Sequence, residues 1–382
     1  MKARDERDKL LPPVREVELR PAEETTQAIQ PVLVPETPEE EPEIIYAPIL
    51  SGVGSNKLAL ISTRIKPDID TEAETATYMQ SGLSLIIGDY GSITEGFRVS
   101  TQKLYDMLVL KLTNQNHYGD LTGNLNRRVT IHLDDILSAR GAPLTEASRK
   151  RIRKICREDL ATLYNASLEF EEKEWGGKKY EKAEYSMRII EDKGISNSYI
   201  TVELTQKYAE YLMLAYVGQY PLRLQRTDDR FPLAYHLGRK LMQHYSIEAN
   251  HANGTANLIS IKAVMSSIQD IPSFEEVKAS GRQYTARIIK PISKALEHLC
   301  VEKVCVLSSW YFCNAKGKAL TKTQQERGDY DTLSNCYIHF TPLLDAELRK
   351  VMQANITKRT EARKAKALED KSKRGKKAGK AK

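Results

Sequence analysis

The feature that most constrains this chain is an internal duplication: between residues 100 and 340 one series of elements is written twice, with a period of about 130 residues. Ser100 to Leu112 carries apolar residues at 104, 105, 108, 109 and 112, a helical spacing, behind a Ser100-Thr101 pair placed to cap it. Phe231 to Met242 repeats that spacing at 234, 237, 238 and 241 behind an early Pro232. In each copy a short strand then runs into a second helix, at Val129–Leu137 and Leu258–Met265. Ile131, Leu133, Ile136 and Leu137 align there with Ile259, Ile261, Val264 and Met265. A third helix follows at Thr145–Leu163 and Gly281–Leu299, where Ile152, Leu160 and Leu163 match Ile288, Leu296 and Leu299. Each third helix leads into a strand (Ser167–Glu171; Val304–Leu307), a basic loop and a returning strand (Tyr199–Glu203; Tyr337–Phe340).

Helix, strand, helix, helix, strand, wing, strand is the order of a winged helix, in which three helices share one apolar face and a hairpin closes the core. The expected class is therefore α+β, two tandem winged-helix domains, each a helix-turn-helix plus a β-wing. The expected boundaries are a disordered acidic, proline-rich extension over 1–75, a first winged helix over 76–220, a second over 221–357, and a disordered basic tail over 358–382. A generic pair of α+β domains is the competing reading.

The third helices decide whether such a fold meets nucleic acid. At about 100° per residue, placing Ile152, Cys156, Asp159, Leu160 and Leu163 inward leaves Lys150, Lys154 and Arg157 outward, flanked by Arg151 and Arg153. Few acidic residues stand one helical turn away to neutralise them, so the run reads as a phosphate-contacting face rather than a solvated one. In the second copy Tyr284, Ile288, Ile292, Leu296 and Leu299 turn inward, leaving Gln283, Arg287, Lys290 and Lys294 outward with Arg282 beside them. Gln and Arg can read adenine or guanine edges with paired hydrogen bonds, whereas a lysine-rich face holds phosphates indiscriminately. Sequence reading is thus assigned mainly to the second copy. The loops Trp175–Lys179, with Lys178 and Lys179, and Lys316–Lys322, with Lys316 and Lys318, are basic and contain glycine, as wings lying along a DNA backbone should.

Outside the duplication the charge is segregated. Residues 1–50 hold twelve Asp/Glu against six Lys/Arg and eight of the fifteen prolines, so this head lacks the apolar surface to offset its ordering entropy. The tail Lys358–Lys382 holds twelve Lys/Arg against three Asp/Glu, a composition that suits either a solvated tail or a DNA contact. The apolar island Ile44–Leu50 reads as the run-in to the fold. No apolar stretch is long enough to span a membrane, and the first ten residues are charged rather than signal-like. Five irregularly spaced cysteines argue for reduced thiols and a cytoplasmic location. Their spacings do not fit a zinc knuckle, and no metal or other cofactor is expected. No His-x-His pair accompanies the nineteen tyrosines, and no phosphate-binding loop is present, so neither a DNA-nicking enzyme nor an ATPase is expected.

The runs Ile271-Pro-Ser-Phe-Glu-Glu-Val, Arg282-Gln-Tyr and Ile289-Lys-Pro-Ile-Ser-Lys-Ala-Leu-Glu-His-Leu299, with Arg157-Glu-Asp-Leu-Ala-Thr-Leu-Tyr164 as a first-copy counterpart, resemble the two-winged-helix replication initiators of plasmids and mobile elements of Gram-positive gut bacteria. The resemblance covers roughly residues 80–345. It implies a monomer that binds repeated origin sites in double-stranded DNA and recruits the host initiator and replicative helicase. It also implies a dimer, formed through the first winged helix, that represses its own promoter. Carried onto this chain, the reading helix is Gly281–Leu299 and the auxiliary contact helix is Thr145–Leu163. The acidic head and basic tail depart from the family pattern. A double winged-helix transcriptional regulator with no replication role stays open as the alternative, and a protein that uses its third helices for protein contacts is a third class.

Overall fold

The island at Ile44–Leu50 seeds β1 (Tyr46–Ser51), which buries Ala47, Ile49 and Leu50 and leads into α1 (Val53–Leu58). The computed structural model describes residues 46–92, 96–116, 125–176, 179–281 and 283–343; the side chains of 173–181 and a few others are not described. The acidic head up to residue 45 and the basic tail lie outside the described residues. β2 (Asp68–Asp70), β3 (Thr75–Gln80) and β4 (Leu83–Ile87) follow as an antiparallel meander. The β3–β4 link is Ser81-Gly82, both at positive φ (52° and 71°), a tight turn whose twist matches the strands it joins. Residues 46–75, expected to be disordered, are thus part of the fold. The polar Asp68-Ile-Asp70 is an exposed edge strand, where charge is the usual protection against unwanted pairing.

The first copy unfolds as α2 (Val99–Gln115), β5 (Arg128–His132), α3 (Leu133–Ala139), α4 (Glu146–Tyr164), β6 (Ala166–Gly176), β7 (Lys179–Arg188), β8 (Ile190–Ile195), β9 (Tyr199–Leu204), α5 (Gln206–Leu214) and β10 (Tyr216–Pro221). The expected order of helices and strands is present, but the pairing differs. β9 pairs with β5 and β8, while β6 and β7 join the meander as a five-stranded sheet, β2-β3-β4-β6-β7. The hairpin closing the first copy is therefore β8–β9, turning at Ser196–Ser198. Of the expected wing at 175–179, Trp175 and Gly176 end β6 and Lys179 opens β7, the two strands of the intervening hairpin, and 177–178 lie outside the described residues. β8 escaped notice because only one of its six residues is buried.

After a 3₁₀ turn at Leu222–Arg226, the second copy contains α6 (Pro232–Ser246), α7 (Glu248–Ala252), β11 (Leu258–Ser260), α8 (Ile261–Ser267), α9 (Phe274–Ala279), a π-turn (Thr285–Ile289) continuous with α10 (Lys290–Cys300), β12 (Leu307–Cys313), α11 (Lys322–Arg327), α12 (Tyr330–Ser334) and β13 (Tyr337–Pro342). Its sheet, β11-β13-β12, has the order of β5-β9-β8. The architecture is mixed α+β. The strand expected at Val304–Leu307 starts only at Leu307, because the buried Val304–Val306 approach it through Cys305 at φ 48°. The loop expected between the last strands is ordered by α11 and α12.

The caps follow local chemistry. Thr145 accepts from Ser148 N at 3.2 Å to start α4, and Ser273 with Glu276 forms a capping box for α9. Ser100 and Thr101, expected to cap α2, lie inside its first turn; Arg98 is the cap residue. All five cysteines are free and buried, and burial pushes the Cys156 thiol up to about 12.

The two copies are joined rather than strung. β1 pairs antiparallel with β10, and α2 meets α6 through buried polar side chains. Asp106 accepts from Arg239 Nε at 3.1 Å and from Tyr235 Oη at 2.5 Å. Gln102 Oε1 lies 2.7 Å from His236 Nε2, whose other ring nitrogen meets Asp270, itself bonded to Ser62 Oγ at 2.6 Å. Burial drives the Asp106 carboxyl upward against the opposing pull of Arg239.

Candidate nucleic-acid interface

On α4 the periodicity expected from sequence holds. Ile152, Cys156, Asp159, Leu160 and Leu163 are buried; the three aliphatic side chains each contribute about 1.5–3 kcal/mol of transfer free energy. Asp159 accepts from Thr101 Oγ1 at 2.7 Å, Ser100 Oγ at 3.0 Å and Arg98 Nε at 3.1 Å, which docks α4 on the first turn of α2. Burial raises its carboxyl despite Arg98.

The opposite face presents Lys150, Arg151, Lys154 and Arg157, all exposed. Two cations of the run are used structurally. Arg149 grips Asp134 of α3 through two bonds, 2.8 and 2.9 Å, and Arg153 Nη2 donates to Asn197 O at 2.5 Å, tying α4 to the β8–β9 turn. Lys178 lies outside the described residues. Lys179 opens β7 in the five-stranded sheet, whereas the β8–β9 hairpin that α4 contacts belongs to a separate sheet.

The second copy repeats the arrangement with a different helix start. Tyr284, Ile288, Ile292, Leu296 and Leu299 are buried, and Gln283, Lys290 and Lys294 are exposed. Those buried positions are mostly four apart, which overshoots a regular helical turn by about 40° per step. The wider π-turn absorbs the drift, and Pro291, which offers no N–H to the Arg287 carbonyl, helps place it there. The helix begins after Gly281, at φ 121°, rather than on it, and Arg282 lies outside the described residues. Arg287 is half-buried: it donates to Ser280 Oγ and lines a cleft of about 850 Å³ with Arg64, Met265 and Ile271.

Thr285 Oγ1 donates to Gln325 O at 2.8 Å and Glu326 O at 3.1 Å, and Tyr284 and Tyr330 meet edge-to-face at 6.0 Å, so α11 and α12 brace the start of this helix. Lys316 and Lys318 are exposed on a tight turn after β12, where Asn314 Oδ1 accepts from both backbone nitrogens at 2.9 and 3.1 Å.

A further group of cations went unread in the sequence. Arg140, Arg226, Arg230 and Lys303 line, with Arg151, a cleft of about 710 Å³ bordered by both copies. The recurring Arg223, Arg226 and Arg230 of the connector were the available signal, masked by the adjacent Asp228 and Asp229. Among the described residues no cluster of His, Cys, Asp and Glu could hold a metal ion, and no helix is long and apolar enough to cross a membrane.

No family model matches the chain, and no curated protein matches it. Among solved structures it is similar to a crystal structure of domains 2 and 3 of RctB. That likeness has a TM-score of 0.38 and 11% identity, and covers 76% of this chain and 100% of the other. A second crystal structure of RctB domains 2–3 aligns at a TM-score of 0.37 and 11% identity, covering 76% of this chain and 97% of the other. Both likenesses are remote in sequence and loose in superposition, and nothing about this chain rests on them.

Proposed function

We propose that this protein is a sequence-specific DNA-binding replication initiator of a plasmid or mobile element, built from two winged helices and acting without a catalytic centre or cofactor. One observation carries the reading: each copy packs a third helix against a three-stranded sheet by one face and leaves on the other hydrogen-bonding or cationic side chains that form no ion pair with an acid among the described residues. In the first copy these are Lys150, Arg151, Lys154 and Arg157; in the second they are Gln283, Lys290 and Lys294. Exposed cations without acidic partners gain from neutralising phosphates and releasing counterions, whereas Gln283 beside Arg287 offers base-edge chemistry.

The test is retention of fragmented native replicon DNA by the full-length protein, followed by sequencing. Recovery of repeated sites beside the coding region is the expected result. A single inverted repeat at a promoter would favour a transcriptional regulator, and binding that ignores both DNA sequence and salt would end the DNA reading. Within that assay, replacing Lys150 and Lys154 by Gln should weaken binding to all duplexes and lower the salt slope by roughly one unit per contact. Gln283→Ala should instead cost about 1–3 kcal/mol at the cognate site alone.

A further inference from the structure

The 710 Å³ cleft between the copies is framed by Arg140 at the end of α3, Arg151 on α4, Arg226 at the end of the 3₁₀ turn and Lys303 just beyond α10. Its two acids are already engaged. Asp229 accepts from Lys103 Nζ at 2.6 Å and faces Arg140 Nη1 at 3.5 Å, while Asp228 is held by Arg230 at 2.9 Å. The other three cations, Arg151, Arg226 and Lys303, form no ion pair with a described residue. Arg226 Nε is buried without a hydrogen-bond partner among the described residues, and Arg140 Nε shares that condition. Burial and the neighbouring Arg223 pull the Arg226 guanidinium below its ordinary value, so its charge stands in the fold at a free-energy cost that an anion would offset. Gly141, at φ 63°, lies beside this side chain, its Cβ position 3.4 Å from Arg226 Cδ and Nε, an ordinary contact distance.

A forked, partly desolvated guanidinium flanked by a second Arg and a Lys matches the tetrahedral oxygens of a phosphate. Arg151 belongs to both the cleft and the cationic face of α4, so a polyanion lying along Lys150 and Lys154 reaches the cleft without a break in charge. We propose that this cleft holds one backbone phosphate of the bound duplex, gripped by Arg226 and flanked by Arg151 and Lys303, at a point between the contacts of the two third helices. The assignment rests on the DNA-binding reading above; the same chemistry would also take the phosphates of a free nucleotide.

Duplex binding by the full chain, measured by fluorescence anisotropy over a series of KCl concentrations, separates these cases when paired with calorimetric titration of inorganic tripolyphosphate without DNA. Arg226→Gln should lower the salt slope by about one unit, weaken binding several-fold, and leave the unfolding temperature equal or higher. Arg226→Lys should recover the slope. Should Arg226→Gln not fold, the exposed Lys303→Gln must show the same loss of slope. A wild-type protein that binds no duplex at all overturns the functional reading itself. Normal binding with an unchanged slope in Arg226→Gln overturns only the cleft assignment. Tripolyphosphate binding that Arg226→Gln abolishes while its duplex slope stays intact would hand the cleft to a free nucleotide and likewise overturn the DNA contact.

Discussion

At Asp159 a carboxylate sits on the inward side of a cationic helix, a placement that periodicity alone reveals. What periodicity leaves out is the partner, because Ser100, Thr101 and Arg98 lie some sixty positions earlier and meet it only once α2 packs on α4. The same limit hid Lys103, a lysine on a helix with ordinary spacing, which is 1% exposed and bonds Thr227 O at 2.5 Å and Asp229 Oδ1 at 2.6 Å. Burial brings its amine down to about 8, with Asp229 opposing and Arg140 assisting the shift. Between about pH 8 and 10 the unfolded chain keeps a proton that the folded protein has released, so stability rises with pH in this window. Relative to Lys103→Met, the wild-type protein should gain about 2 kcal/mol from pH 8 to pH 10 in urea unfolding. A gap between the two proteins that does not change with pH would mean that the amine titrates near its ordinary value in the fold.

Among elements, those with strong period or strong caps were legible: α2, α4, α6 and the strand-into-helix pairs β5–α3 and β11–α8. The first copy's hairpin was not, because β8 lies largely exposed, and a strand recognised by alternating burial gives no signal when one face lacks a covering layer. The π-turn was legible only in retrospect, through the four-residue spacing of Tyr284, Ile288, Ile292 and Leu296. That spacing has a consequence for the proposed DNA reading. A π-turn behaves as a one-residue insertion, so removing the exposed Ala286 should restore a regular helix in which Tyr284 and Ile288, then three apart, still share a face. The variant should remain folded, with its unfolding temperature within a few degrees of wild type. Gln283, next to Tyr284, would keep its side of the helix but stand about 1.5 Å closer to Lys290 and Lys294 along the axis, so discrimination of the cognate site should fall while salt-dependent binding to random duplex persists. Unchanged discrimination would show that the residues before the π-turn take no part in base reading.

For the whole molecule the decisive contact is the one between the duplicated helices. Setting Leu104 and Leu108 of α2 against Leu237 and Leu241 of α6 places Gln102, Lys103 and Asp106 on Tyr235, His236 and Arg239. Under that exchange the Lys103–Tyr235 contact, 5.6 Å from Nζ to ring centre, and the Gln102–His236 bond, 2.7 Å, are equivalents, and Asp106–Arg239 maps onto itself. The copies thus face one another about an approximate two-fold axis, as two subunits would, except that the pair on the axis carries opposite charges. Two identical faces would set Asp against Asp or Arg against Arg there, so divergence of this one position favours pairing within the chain. Because both charges are buried, removing one partner should be far worse than removing both. Arg239→Met should cost about 3–5 kcal/mol, and adding Asp106→Asn should recover at least about 1 kcal/mol of it in urea unfolding. Simple additivity of the two changes would refute the coupling. This contact is one of several links between the copies; if it sets the spacing of the third helices in the proposed DNA complex, then in Arg239→Met preparations kept folded at low temperature, binding should tolerate half a turn of DNA, about five base pairs, inserted between the two helix contacts. In wild-type protein that insertion should abolish site preference, because a rigid pair of helices cannot follow a site rotated to the far side of the duplex.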